Sequence, residues 1–332
     1  MKVGKIPENV LKRSVLKQIK TTREEVLIGA GVGEDCAILA LAEDEVFVVS
    51  TDPITGATED IGRLAVHVTA NDLASSGAEP VALFVSALLP ESTEEPQIRE
   101  MVCQMEETCA AMHIQIAGGH TEITGAVNRP ILTVTGVGKA KRDRVVTTRG
   151  ARPGQSVVMS KWAGLEGTSI LAKEHEKELL SKYPSYIIDE AKAFDRFLSI
   201  VPEAATAVKS GVTAMHDVTE GGIFGALWEI AESTGVGLEI DLKKIPIRQE
   251  TIEICEFFEL NPYELISSGS LLMVTDDGLE LVRNLENEGI PAAVIGWIRE
   301  GNDRVVINDD EKRFLEPPKS DELYKAITYH KE

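Results

Sequence analysis

Apolar and polar positions recur along this chain with two different periods. Leu64, Val68 and Leu73 return at helical intervals between Arg63 and Ser75, alanines fill the close-packed positions between them, and Gly77 stands where a helix should stop. The spacing predicts a helix over 63–75 that carries His67, Asn71 and Ser75 on one face, with Asp72 beside Asn71. After an Ala-Glu-Pro turn, the unbroken apolar run Val81 to Leu89 predicts a buried strand. Glu45 to Thr51 reads as a strand that ends at Asp52. Ile98, Met101, Val102, Met105 and Met112 place a helix over 96–113. Ile114 to Ala117 is a short strand running into Gly118-Gly119-His120-Thr121-Glu122, and Ile131 to Val137 is another strand.

Lys139 to Arg152 is basic and contains glycine, and Pro153-Gly154 is a turn, which places a domain boundary there and gives domains 1–150 and 151–332. The second half opens with a strand, Ser156 to Ser160, and with Gly164-Leu165-Glu166-Gly167 leading into a helix. A long charged helical region, 174–198, follows. His216-Asp217-Val218-Thr219-Glu220-Gly221-Gly222 opens an amphipathic helix ending near Ser233, and Gly237 to Asp241 is a strand. Segments 262–274, 279–288 and 292–298 continue the alternation of helix and strand, which makes the chain an α/β (α+β) protein of two domains.

Composition narrows the function. The 332 residues suffice for two domains with real cores, and 43% hydrophobic content is globular. No run approaches a membrane span and the N-terminal segment has no signal-type apolar core, so a cytoplasmic protein with no membrane partner is expected. With 54 acidic and 34 basic residues the formal net charge is -20, which argues against nucleic acid as a partner. A small anion would need a divalent cation or backbone N–H groups. Cys36, Cys103, Cys109 and Cys255 show no metal-ligand spacing and read as reduced thiols.

Asp35, Asp52, Asp72 and Glu122 fall at strand ends or on the first helix, where carboxylates can converge on a hard cation such as Mg²⁺. Taken singly, each also suits a cap or a turn. Gly118-Gly119 after a strand is a candidate phosphate loop, because glycine lets backbone N–H groups approach oxygens. A P-loop and a Rossmann fingerprint are both absent. Asp217, near a helix cap and followed by two glycines, offers an anion site. His216 and His67 are candidate acid–base groups, because an unperturbed imidazole has its pKa near neutrality. Lys139, Lys141, Arg142, Arg144, Arg149 and Arg152 form one basic island, either a solvated loop or an attractor for an anionic substrate.

The stretch AVHVTANDLASSGAEP resembles the signature of the aminoimidazole ribonucleotide (AIR) synthetase superfamily. Gly33-Glu34-Asp35-Cys36-Ala37, Ser50-Thr51-Asp52, Asn71-Asp72 and Gly118-Gly119-His120-Thr121 are similar, in order, to its other motifs, and His216 to Gly222 resembles its Asp-x-Thr-x-Gly-Gly segment. The resemblance implies a mixed N-terminal sheet with helices that forms a homodimer, and a C-terminal α/β domain. It also implies an ATP site between the N-terminal domains of the dimer. Gly33, Glu34, Thr51, Asn71, Gly118, Gly119, His120 and Thr121 would contact the nucleotide, Asp35, Asp52, Asp72 and Glu122 would hold Mg²⁺, and Asp217, His216 and His67 would be catalytic. The implied activity is ATP-dependent activation of an oxygen or amide acceptor, on a small molecule or a protein, with a maturation factor as a possible partner.

The pattern is closest to the hydrogenase-maturation branch, with three departures. No cysteine follows Cys255, so the self-modification of a C-terminal cysteine that typifies that branch is not expected. Glu220 replaces an arginine, and Ser267-Ser268-Gly269-Ser270 replaces a Glu-Gly pair. A thiamine-monophosphate kinase and a non-catalytic ATP-binding assembly factor are the alternatives.

Overall fold

The first unit is built on strands whose side chains alternate between a helix-covered face and an open one. The computed structural model describes residues 4–31, 36–55, 60–317 and 319–328, and the chain divides into two compact units, Met1–Val145 and Val146–Glu332. In the first unit β1 (Gly4–Lys5) is followed by a short helix α1 (Glu8–Val10) that continues as a wide π-type turn over Leu11–Leu16. A small hairpin, β2 (Val26–Ile28) and β3 (Ile38–Leu39), precedes β4 (Glu45–Ile54), α2 (Ile61–Ser75), β5 (Glu79–Leu89), α3 (Glu95–Met112), β6 (Gln115–Ile123) and β7 (Ile131–Lys141). The main sheet runs β1-β6-β5-β7-β4; β5 and β6 are parallel and the other neighbours antiparallel.

Helix α2 lies on this sheet through Thr69 and Leu73, which are buried. It can do so because Gly136 on β7 has no side chain: a Cβ there would fall 2.4 Å from Thr69 Cγ2 and 2.9 Å from Leu73 Cδ1. Along β4, Val48, Ser50 and Asp52 turn towards the helix side. Phe47, Val49, Thr51 and Pro53 are exposed on the opposite face. Helix α3 starts in a capping box between Glu94 and Gln97 with proline in its first turn.

In the second unit, β8 (Ser156–Ser160) leads to α4 (Leu165–Glu174), α5 (Glu176–Leu179), α6 (Ser185–Lys192) and α7 (Val201–Lys209). Then come β9 (Ala214–Val218), α8 (Gly222–Thr234), β10 (Gly237–Asp241), α9 (Gln249–Phe257), β11 (Ser270–Thr275), α10 (Gly278–Asn287), β12 (Ala292–Arg299), β13 (Arg304–Asn308), β14 (Glu311–Phe314) and α11 (Leu323–Thr328). The sheet order is β14-β13-β10-β12-β8-β11-β9. Ile223, Leu227 and Ile230 of α8 pack with Val157, Met159, Leu272 and Leu238 from one face. A satellite core of Leu171, Leu179, Ile188, Ile254 and Leu265 joins α4, α5, α6 and α9.

The structure corrects three expectations. Residues 174–198 do not form one helix: Pro184 caps α6, and the chain turns through 180–184 before it. Gly118 and Gly119 belong to β6, with a register shift opposite Leu83 and Phe84, and do not form a loop after it. The basic island is partly consumed by the sheet. Lys139 pairs with Glu25, Lys141 with Asp44 at 2.7 Å, and Arg152 with Asp276 at 3.5 Å. Among the described residues, no helix is long and apolar enough to cross a membrane.

A buried ion pair locks the end of β8. The Lys161 ammonium meets Glu203 at 2.5 Å and donates to the carbonyls of Phe197 (2.8 Å), Ser199 (2.5 Å) and Gly269 (2.8 Å). Glu203 is 1% exposed. Glu203→Ala leaves a buried ammonium without its counter-charge and is expected to cost roughly 3–5 kcal/mol of stability. Glu203→Gln keeps an acceptor and is expected to lose less. Urea unfolding midpoints check the order, and equal midpoints for wild type and Glu203→Ala would refute it.

Candidate functional site

In the first unit the geometry brings two of the predicted acidic residues together. Ser50 Oγ lies 3.2 Å from Asp52 Oδ2 and 2.5 Å from Asp72 Oδ2, so a single hydroxyl sits between a carboxylate on the sheet and one on the helix covering it. One hydroxyl proton serves one carboxylate at a time, which leaves an acceptor-rich pair able to take a cation. Both carboxylates are half-buried. Asn71, next to Asp72, is 1% exposed, and His67 is half-buried one turn earlier on the same helix. Thr51 faces the other way: its hydroxyl meets that of Thr135 at 2.9 Å on the open face of the sheet.

Gly118, Gly119, His120 and Thr121 line a cavity of about 660 Å³ together with Gly31, Cys36, Phe84 and apolar residues of the N-terminal segment and α3. Only glycine fits at position 119, where φ is +150° and a Cβ would fall 2.1 Å from the carbonyl oxygen of Val85. His120 Nε2 contacts Glu122 Oε2 at 3.1 Å. Between β6 and β4 lie β5 and β7, three interstrand steps or roughly 14 Å. Glu122 therefore does not join Asp52 and Asp72 within one chain. Gly33, Glu34 and Asp35 lie outside the described residues, although Gly31 and Cys36 on either side of them line the same cavity. Among the described residues, no group of three or more His, Cys, Asp or Glu side chains could hold a metal ion. The Asp52 and Asp72 pair does match the donor set of Mg²⁺, which commonly takes one or two carboxylates and leaves its other positions to phosphate and water.

In the second unit His216 and Asp217 lie on β9, so Asp217 is a buried strand residue that precedes the helix and does not cap it. Helix α8 begins only at Gly222, after Gly221 has taken a left-handed conformation with φ 79°. The reason is local. A Cβ at Gly222 would meet the carbonyls of Tyr263 and Leu265 at 2.6 and 2.7 Å, so the chain enters the helix by pressing its backbone against that loop. His216 Nε2 lies 3.0 Å from Glu229 Oε2, and Nδ1 lies 2.6 Å from the carbonyl oxygen of Asp217. Burial works against charge on this imidazole most strongly. The Glu229 hydrogen bond and the Asp217 carboxylate and carbonyl together outweigh it and raise the pKa above the ordinary histidine value.

The anion position expected at the start of α8 is already filled. Asp321, 3% exposed, accepts from Gly221 N–H at 2.7 Å and Leu323 N–H at 2.8 Å, and Tyr324 donates its hydroxyl to Glu220 at 2.9 Å. Sequence reasoning did not single out Asp321, Lys161 or Glu166. A glutamate between glycines in an apolar helix start was the available signal for Glu166; for Asp321 there was none.

Two family models match the chain: the N-terminal domain of AIR synthase related protein over residues 33–140, and its C-terminal domain over residues 152–308. A hydrogenase expression/formation protein of Methanocaldococcus jannaschii is 29% identical over 313 residues, covering 92% of this chain and 91% of that protein. The carbamoyl dehydratase HypE of Rhodobacter capsulatus is 32% identical over 277 residues, covering 81% and 78%. Among solved structures, the hydrogenase maturation protein HypE in complex with ATP has the same fold, with a TM-score of 0.79 at 22% identity over 97% of each chain. The chain belongs to the AIR synthase related family, on its HypE hydrogenase-maturation branch.

Proposed function

We propose that this protein is an ATP- and Mg²⁺-dependent enzyme that activates an oxygen or amide acceptor by phosphoryl transfer. The observation that carries the reading is the pair Asp52 and Asp72 meeting at Ser50 on the helix-covered face of the first sheet. HypE solved with ATP and the carbamoyl dehydratases among the relatives support it. Mg²⁺ bound by these carboxylates, with Asp35, would offset the charge of the phosphate oxygens. Asn71, beside Asp72 on α2, would be a further nucleotide contact. The Gly118-Gly119 segment admits a ligand close to the backbone, with His120, Thr121 and Thr51 as further nucleotide contacts and Gly33 and Glu34 completing the set. Catalysis of this kind is positional and electrostatic. In the second unit Asp217 and His216 would face the acceptor. His216 is predisposed to hold a proton by Glu229, and His67 is the acid–base candidate of the first unit.

The first unit would bind the nucleotide and form a homodimer through the open face of its sheet. Phe47 and Val49 are 50% and 61% exposed there, next to Thr51 and Thr135, and exposed aromatic and aliphatic side chains on a regular strand face call for a covering surface. In that arrangement Glu122 and the carboxylate pair, separated within one chain, could come from different subunits. A maturation-factor partner is the further expectation, in line with the relative solved as a HypE–HypF complex.

Isothermal titration of ATP with and without Mg²⁺, with ADP release measured on the same samples, tests the reading. Mg²⁺-dependent binding is expected, weakened at least about tenfold in Asp72→Ala, which is about 1.4 kcal/mol. No binding by folded wild type would sink it. Sedimentation of a Phe47→Glu, Val49→Lys variant is expected to show a monomer where wild type sediments as a dimer; the same sedimentation coefficient for both would rule out this face.

A further inference from the structure

The second unit holds a cavity of about 480 Å³, within the size range of small-molecule sites, and every described residue lining it belongs to that unit. One wall is the first turn of α8 with the loop 261–264, and the other is β14 with Leu315, Glu316 and Lys319. The first wall is held by a relay of hydrogen bonds. Phe224 N–H donates to Tyr263 O at 3.1 Å, Tyr263 N–H to Asn261 Oδ1 at 3.1 Å, and Asn261 N–H to Glu322 Oε2 at 3.0 Å. The Phe224 and Tyr263 rings are stacked, with centroids 5.3 Å apart and 18° between their planes. The second wall is pinned where buried Leu315 donates its N–H to Arg304 O at 2.8 Å. Both walls are therefore formed before any ligand arrives, which keeps the ordering cost of binding low.

The charges around the cavity are divided between these walls. Arg313 pairs with Glu311 at 2.9 Å and Lys319 pairs with Glu316, and all four side chains are exposed. Exposed pairs of this kind contribute little, so either cation can turn to a ligand at small cost. Glu264, half-buried beside Tyr263, forms no ion pair among the described residues. Leu242, Val306 and Leu315 add apolar lining. One wall thus presents an unpaired carboxylate next to an aromatic pair, where an ammonium is favoured. The other presents a guanidinium whose planar fork matches a carboxylate.

We propose that this cavity binds a free aromatic amino acid as a zwitterion, with its ammonium at Glu264, its carboxylate at Arg313 and its ring against Tyr263 and Phe224. A simple cation or a simple anion would satisfy one wall and meet its own sign of charge on the other. Binding here is separate from the nucleotide reading, since no residue named for ATP or Mg²⁺ lines the cavity. Phe224 and Gly221 stand at the start of α8, so an occupant bears on the turn through which the chain leaves β9.

Isothermal titration of the full chain, without nucleotide, reads each contact through three probes. L-tryptophan carries the ring, the ammonium and the carboxylate; tryptamine lacks the carboxylate and indole-3-propionate lacks the ammonium. L-tryptophan is expected to bind at least about tenfold more tightly than either analogue, which is about 1.4 kcal/mol. Glu264→Gln should weaken L-tryptophan by about tenfold and leave indole-3-propionate unchanged. Arg313→Gln should weaken L-tryptophan to a similar extent and leave tryptamine unchanged, and Tyr263→Leu should weaken all three. Thermal melting of the same samples reports folding, and the wild-type Tm is expected for both charge variants because neither side chain is buried. No binding of L-tryptophan by folded wild type, an analogue that binds as tightly as L-tryptophan, or an unchanged L-tryptophan affinity in any of the folded variants would each overturn the proposal.

Discussion

The second unit depends on one buried ammonium. Lys161 leaves the end of β8 with a left-handed backbone, φ 53°, and places its charge where Glu203 and the carbonyls of Phe197, Ser199 and Gly269 converge. Taking both charges out of water costs several kcal/mol per ion, which only a saturated set of partners offsets. Burial pulls the Lys161 pKa down and the Glu203 pKa up, and their mutual attraction resists both. The structural return is position. By gripping Gly269 O, the ammonium fixes the turn in which Ser267 and Ser270 donate to Trp162 O and Ser268 bonds Glu166. The buried acid of α4 and the loop that tunes it are thus set by a cation that touches neither side chain.

The two units handle acidic groups in opposite ways. In the first, Asp52 and Asp72 remain half-exposed and share the Ser50 hydroxyl, an acceptor-rich arrangement. In the second, Glu166 and Asp321 are almost wholly buried. Asp321 is supported by backbone N–H groups at a helix start, and Glu166 by a serine. Burial raises the pKa of both. One chain thus keeps carboxyl groups in two environments, one open to water and one closed to it.

Much of this was legible in the sequence, wherever local pattern decides the outcome. The helix of Asn71 and Asp72 and the strand Gly237–Asp241 follow directly from periodicity and bounding glycines. Strand β4 runs past the expected stop at Asp52 to Ile54 as an edge strand paired only with β7, a position that tolerates proline. Gly118 and Gly119 looked like a turn because glycine is the usual punctuation. Here the same lack of a side chain serves close approach to β5. Asp217 ahead of a Gly-Gly pair suggested a cap, but β9 runs through Val218 and the helix begins only at Gly222, whose backbone lies close against the 263–265 carbonyls. The burial of Glu166 and the docking of Asp321 were hidden from pattern reading, because each depends on segments distant in sequence meeting in space, and the chain around them shows no periodic sign of it.

What Gly136 lacks sets a distance. Thr69 and Leu73 rest in the space a side chain would occupy, so helix and sheet approach each other by about the thickness of a methyl group more than they otherwise would. Asp72 is on that helix and Ser50 and Asp52 are on that sheet. The gap between the layers therefore acts as a caliper for the carboxylate pair, and their separation is determined at a residue with no polar side chain at all.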